Sequence, residues 1–216
     1  RVLLEWCWEV CMIEGIVGIV DYEAGNLRSV ERALRRVGAN FLVSADPEKL
    51  FTLDKLIFPG VGEASSAMKK LEASGLDRML KEFFASGKPI LGICLGSQII
   101  LDRSEEGPTN CLGLIPGEAK EFKASLGLKI PHMGFNDIRE VKRTKLLSGI
   151  PSGSSFYFVH SYYPEPSHGE DVYAVTEYGI EFPSIIGRDN LIACQFHPEK
   201  SGEHGLAILK NFLSKF

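Results

Sequence analysis

Gly92-Ile93-Cys94-Leu95-Gly96 sets a cysteine between two glycines, each two positions away, where an apolar run gives way to a helical one. This is the spacing of a nucleophile elbow with sulfur in place of oxygen. The turn is tight, so a side chain at position 92 or 96 would crowd the neighbouring strand or the substrate. At a helix N-terminus, unpaired N–H groups and the positive end of the dipole favour the reactive thiolate. The competing reading is a small buried hydrophobe at a strand end, the usual condition of a free cysteine.

A thiolate acting on an amide needs a proton carrier, because the leaving amine must be protonated as it departs. In Gln195-Phe196-His197-Pro198-Glu199, His197 follows an apolar strand directly, and Pro198 restricts the backbone so that Glu199 can turn back to orient the imidazole. That makes a Cys-His-Glu triad of Cys94, His197 and Glu199. A solvated surface turn is the plainer alternative. Pro59-Gly60-Val61-Gly62 follows the strand-like Leu56–Phe58, and could aim a backbone N–H from Gly60 or Val61 at a developing oxyanion, beside the N–H of Leu95. Alone it is equally a plain turn. Three such features at three strand ends strengthen one another.

The elements that would hold these groups are legible as alternating strand and helix. Residues 16–21 and 89–94 are almost wholly apolar, as strands covered on both faces are, and 41–44 and 56–58 read likewise as strands. After a turn at Glu23-Ala24-Gly25, Asn26 is placed to cap a helix with Leu27, Val30, Ala33, Leu34 and Val37 on one face and Gly38 as its stop. Residues 64–86 give two helices split at Ser74-Gly75, and a further helix is expected through 98–103. The pattern predicts an α/β fold, a doubly wound, mostly parallel sheet with helices on both faces, whose ligands collect at the carboxyl ends of the strands. Beyond Gly107-Pro108 short strands near 119–122, 156–160, 172–177, 184–187 and 191–196 suggest an added β-rich antiparallel layer on the same core. A final amphipathic helix follows Ser201, with Leu206, Leu209, Phe212, Leu213 and Phe216 on its apolar stripe.

The 216 residues carry 24 basic and 28 acidic side chains, a net charge of −4, with no basic run that would track a phosphate backbone. Nucleic acid is therefore not an expected partner. Cys7, Cys11, Cys94, Cys111 and Cys194 form no CxxC pair, so neither a disulfide framework nor a metal site is expected, and no cofactor is called for. No run approaches the ~20 apolar residues of a membrane span, and the start lacks the features of a signal peptide, so the expectation is a cytoplasmic protein. Residues 1–11, ahead of Met12, lack clean periodicity and read as an upstream extension, with a packed leading element as the alternative; residues 12–216 read as one domain.

Gly92-Ile-Cys-Leu-Gly-Ser-Gln98 and Gln195-Phe-His-Pro-Glu199 resemble the motifs of class I, triad-type glutamine amidotransferases. Within that family, Asp21-Tyr22 with Gly25-Asn26-Leu27, Pro59-Gly-Val-Gly62, Pro131-His-Met-Gly-Phe-Asn136, Phe158-Val-His-Ser-Tyr-Tyr163 and Lys200-Ser201 are similar to the glutaminase subunits of imidazole glycerol phosphate synthases. The resemblance implies hydrolysis of glutamine by Cys94, with Gln98, Glu106, Ser161 and Tyr162 holding the amino-acid head. It also implies a (β/α)₈ cyclase partner in a heterodimer, which receives the ammonia through a dry passage, contacts through His132, Met133, Asn136 and Lys200, and a Gly60-Val61 loop that switches with the partner. Phe135 stands where the family usually has Trp. Glutaminases of anthranilate or aminodeoxychorismate synthases, a paralogue feeding another acceptor, and a non-catalytic binding subunit are the alternatives.

Overall fold

The computed structural model describes residues 15–23 and 27–216. The expected extension at 1–11, the turn at Ala24-Gly25 and the cap Asn26 lie outside the described residues.

In chain order the strands are β1 (Val17–Val20), β2 (Phe41–Ser44), β3 (Lys55–Gly60), β4 (Ile90–Cys94), β5 (Arg103–Ser104), β6 (Thr109–Asn110), β7 (Gly117–Glu121), β8 (His132–Asp137), β9 (Arg139–Glu140), β10 (Ser155–His160), β11 (Tyr162–Pro166), β12 (Val172–Glu177), β13 (Glu181–Arg188) and β14 (Leu191–Cys194). The helices are α1 (Leu27–Arg36), α2 (Pro47–Phe51), α3 (Ala64–Ser74), α4 (Leu76–Ala85), α5 (Leu95–Ile99) and α6 (Gly202–Lys215).

The main sheet has the order β2-β1-β3-β4-β14-β13-β12-β9. Its first five strands are parallel, and β13, β12 and β9 continue it antiparallel. Alternation along the strands builds two cores. Leu56, Phe58 and Ile90 pack with Leu71, Leu80 and Phe83 of α3 and α4, whereas Ile57, Leu91 and Ile93 pack on the other face with Leu34 of α1 and Leu209 and Phe212 of α6. Each such fully buried side chain contributes roughly 1.5–3 kcal/mol. The doubly wound α/β expectation holds, and β10-β8 and β11-β7-β5-β6 form two smaller sheets beside the main one.

Several elements differ from expectation. The helix expected through 98–103 ends at Ile99, because the chain turns to pair Arg103–Ser104 with β7, and the Asp102 carboxylate accepts from the Gly117 N–H at 2.9 Å. β3 runs on through Pro59 and Gly60, so the loop at its end begins only at Val61. α2, not anticipated, is opened by Asp46, whose side chain accepts from the Glu48 and Lys49 N–H groups, with Pro47 in the first turn. The break between α3 and α4 falls at Gly75, whose φ of +74° closes the first helix in the left-handed region.

The centre of the fold depends on close backbone approach. A Cβ on Gly96 would lie 2.1 Å from the Phe58 carbonyl oxygen, and one on Gly92 would lie 2.8 Å from Ala193 Cβ. Gly96→Ala should therefore lower stability by roughly 2 kcal/mol or more, about 5 °C in Tm. An unchanged thermal unfolding midpoint would contradict this packing.

Candidate active site

Three neighbouring parallel strands deliver the site. Gly60 at the end of β3 is in register with Cys94 at the end of β4, and β14, on the other side of β4, pairs Cys194 with Ile93 and leads straight into Gln195-Phe196-His197. Cys94 has φ 56° and ψ −110°, a conformation that non-glycine residues rarely adopt and that costs ~1–3 kcal/mol. The strain turns the chain from strand into α5 within one residue, and leaves Leu95 N–H in the first turn.

The His197 imidazole donates from Nδ1 to Glu199 Oε1 at 2.7 Å, both side chains being about 1% exposed. This fixes the tautomer and leaves Nε2, which makes no conventional hydrogen bond to a described residue, to interact with the Cys94 sulfur. Burial would push the imidazolium down, but Cys94 and the bond to Glu199 outweigh it and lift His197 to about 10.

A cavity of about 280 Å³ opens over this pair, lined by Val61, Gly62, Cys94, Leu95, Gln98, Glu106, Pro131, Val159, His160, Ser161, Tyr162 and His197. It lies at the small end of ligand pockets. A larger groove of about 590 Å³ beside α2 and α4 is lined by Asp46, Phe51, Arg78 and Glu82 among others and carries neither cysteine nor histidine.

The expected site residues thus converge, with qualifications. Gly60 does not line the cavity; it is buried where an added Cβ would meet the Tyr22 hydroxyl at 2.2 Å. Glu106 reaches the cavity, yet its Oε2 accepts from the Ala64 N–H at 2.7 Å and caps α3; burial, and secondarily Glu63, raises its carboxyl above the usual range against that bond. Gln98 spends Nε2 on the Tyr162 carbonyl at 2.8 Å and on Gln195 Oε1 at 2.9 Å, which leaves its Oε1 for a ligand.

The expected surface contacts divide by strand alternation. Met133 and Phe135 point outward, 58% and 63% exposed, and Phe135 packs on Tyr157, over whose ring the exposed Lys200 lies at 5.6 Å. His132, expected at a partner contact, is 3% exposed and turned inward, stacked on Phe158 and Tyr178. Asn136 is on the same inward side, half-buried, and donates to the Glu177 carbonyl.

These inward residues form a directed chain that sequence reading missed. A carbonyl can only accept, so His160 Nδ1–H donates to Tyr162 O at 2.8 Å; His160 Nε2 then accepts from His132 Nδ1–H at 2.9 Å, and His132 Nε2 accepts from Asn136 at 3.2 Å. Burial holds His132 down at about 4 and His160 at about 3, so both stay neutral. Gln195 is a second residue that sequence reading misses, fully buried beside Cys94. The period-two spacing that sets positions 195 and 197 on one side of an extended chain was the available signal.

The family "Glutamine amidotransferase class-I" matches residues 18–216. The chain belongs to the class-I glutamine amidotransferases. The protein described as imidazole glycerol phosphate synthase subunit HisH of Nitratidesulfovibrio vulgaris (strain DSM 19637 / Miyazaki F) is 47% identical over 203 residues, 91% of this chain and 95% of that protein. Its counterpart of the same description from Methanococcus maripaludis, subunit HisH 1, is 45% identical over 92% of this chain and 98% of its own. Among solved structures, PurLQS from Thermotoga maritima shares the fold with a TM-score of 0.72 at 18% identity, covering 92% of this chain and 97% of that one. The chain is thus an amidotransferase enzyme, with the fold its structural neighbours share. No helix among the described residues is long and apolar enough to cross a membrane.

The neutral histidine pair has a pH consequence. Both folded values lie below the ~6.5 of an unfolded histidine, so the unfolded chain binds more protons between about 3 and 6.5 and stability falls as pH drops through that window. The imidazole NMR signals of His132 and His160 should stay flat from pH 8 to pH 5. Titration of either above pH 5.5 would overturn the directed chain.

Proposed function

We propose that this chain is the glutaminase subunit of an imidazole glycerol phosphate synthase, hydrolysing glutamine to glutamate and passing ammonia to a cyclase partner in histidine biosynthesis. The observation that carries the chemistry is one small cavity lined by both Cys94 and the Glu199-oriented His197, at adjoining strand ends. The choice of partner is supported by relatives named as that subunit, 45–47% identical over nearly the whole chain.

In this reading the Cys94 thiolate attacks the glutamine side-chain carbonyl carbon, the C–N bond breaks, and His197 gives its proton to the departing ammonia. Water then attacks the γ-glutamyl thioester with His197 as base; the C–S bond breaks and the electron pair returns to sulfur. A His197 raised to about 10 begins the cycle protonated at neutral pH, as the acid step requires. Backbone N–H groups at Leu95 and Val61, both on the cavity wall, would face the oxyanion, while Gly60 acts by supporting that loop. Gln98 Oε1 and the free oxygen of Glu106 are acceptors for the substrate ammonium, and Ser161 and Tyr162 complete the head-group wall. Met133, Phe135, Tyr157 and Lys200 form the surface offered to the partner, and Asn136 supports it from behind.

Two experiments test this reading. Cys94→Ala should cut glutamine-dependent synthesis by the complex about 10⁴-fold or more while ammonia-dependent synthesis persists; loss of both would make Cys94 structural. Phe135→Ala should weaken partner binding by roughly 1–2 kcal/mol, read by calorimetry, with glutamine turnover in the saturated complex retained. Unchanged affinity would move the interface elsewhere.

A further inference from the structure

We infer that Gln195 is a further catalytic residue, whose side-chain N–H donates to the Cys94 sulfur and steadies it in the charged, nucleophilic state. This rests on Cys94 being the nucleophile and adds a group to which no role has been given.

Gln195 is fully buried in the stretch between β14 and His197. An amide taken out of water needs partners at both ends, and those partners decide which end is which. The Tyr162 carbonyl can only accept, so the Gln98 atom 2.8 Å from it is Nε2. That same Nε2 lies 2.9 Å from the Gln195 side chain, so the Gln195 atom facing it must be Oε1. Reversing Gln195 would set two N–H₂ groups against each other. What remains, Gln195 Nε2, lies 3.7 Å from Cys94 Sγ, the range of an N–H···S bond.

Such a bond is stronger to a charged sulfur than to a neutral one. Sulfur carries charge before it attacks the amide, and again when the thioester breaks: the water oxygen bonds to carbon, its proton goes to His197, and the C–S electron pair returns to Sγ. One fixed donor serves both moments without moving, because Gln98 holds its other end. Among the described residues, the titratable groups that interact electrostatically with Cys94 are His197, Cys194 at the end of β14 and Tyr22 just after β1. Gln195 is uncharged, so it favours the thiolate at every pH.

The test is the rate of Cys94 alkylation by iodoacetamide in the full chain, followed by mass mapping of the Cys94 peptide across pH, with thermal unfolding in parallel. Gln195→Met keeps length and removes the donor; Gln195→Glu keeps the acceptor toward Gln98 but loses the N–H. In Gln195→Met the alkylation midpoint should move up by about one pH unit, with about tenfold slower labelling below it. Gln195→Glu should move it further, since a carboxylate repels the thiolate. A structural role alone would lower the unfolding temperature and leave the midpoint in place, and an unshifted midpoint in either folded variant overturns the inference. Should Cys94 of the unsubstituted chain label no faster than the half-buried Cys111, the nucleophile reading itself falls.

Discussion

Everything at this site hangs on the contact between the first turn of α5 and the end of β3. Gly96 lies so close to the Phe58 carbonyl that no Cβ fits between them. That closeness draws the start of α5 down onto the sheet and holds Cys94 at a positive φ that its own backbone disfavours. The energy comes from the two flanking cores, where runs of buried apolar residues on both faces hold β3, β4 and β14 in register. Strain at one residue is tolerable because so much around it is over-determined.

The second requirement is polar. The cavity wall is built from buried amides, imidazoles and a carbonyl, each costly to leave unpaired. The Tyr162 carbonyl is the shared acceptor, taking one bond from Gln98 and one from His160. Neutral histidines suit this place, since a charged pair 2.9 Å apart would repel and desolvate poorly. His197 is buried too, yet it goes the other way, because Cys94 and Glu199 face it. Burial alone therefore does not decide an imidazole's state; the partner does.

The cysteine turn at the end of β4 and the parallel strands were legible because both are local. A glycine two residues either side of a cysteine, or a run such as Ile90–Cys94, carries its meaning within a few positions. β8 and β11 were not foreseen, since His132–Asp137 and Tyr162–Pro166 mix polar residues, glycine and proline, and are strands only because β10 and β7 pair with them. The helix at 95–99 is shorter and starts earlier than the sequence suggests, because its apolar continuation Ile100-Leu101 packs in the core as a turn. Sequence alone does not fix the register that turns His132 inward: its neighbour Met133 does face out, and a one-residue difference in a strand is a change of face. The roles of Glu106 and Gln195 depend on partners 42 and 97 residues away, at Ala64 and Gln98, which no local pattern encodes.

β8 bears on both the outer surface and the cavity, and its bonding limits what it can transmit. Its outward residues Met133 and Phe135 are exposed, while its inward residues lead through His132 and His160 to Tyr162. That inner chain has one direction only, because reversing it would require the Tyr162 carbonyl to donate. A network with a single arrangement is a brace and not a switch, since coupling needs an element with two states. The loop after β3 has no such brace at Gly62, which stands at φ +100° with open space where a Cβ would be, one residue past Val61 on the cavity wall. Under the proposed function, conformational control of the cavity is expected at that loop, against a wall the histidines brace.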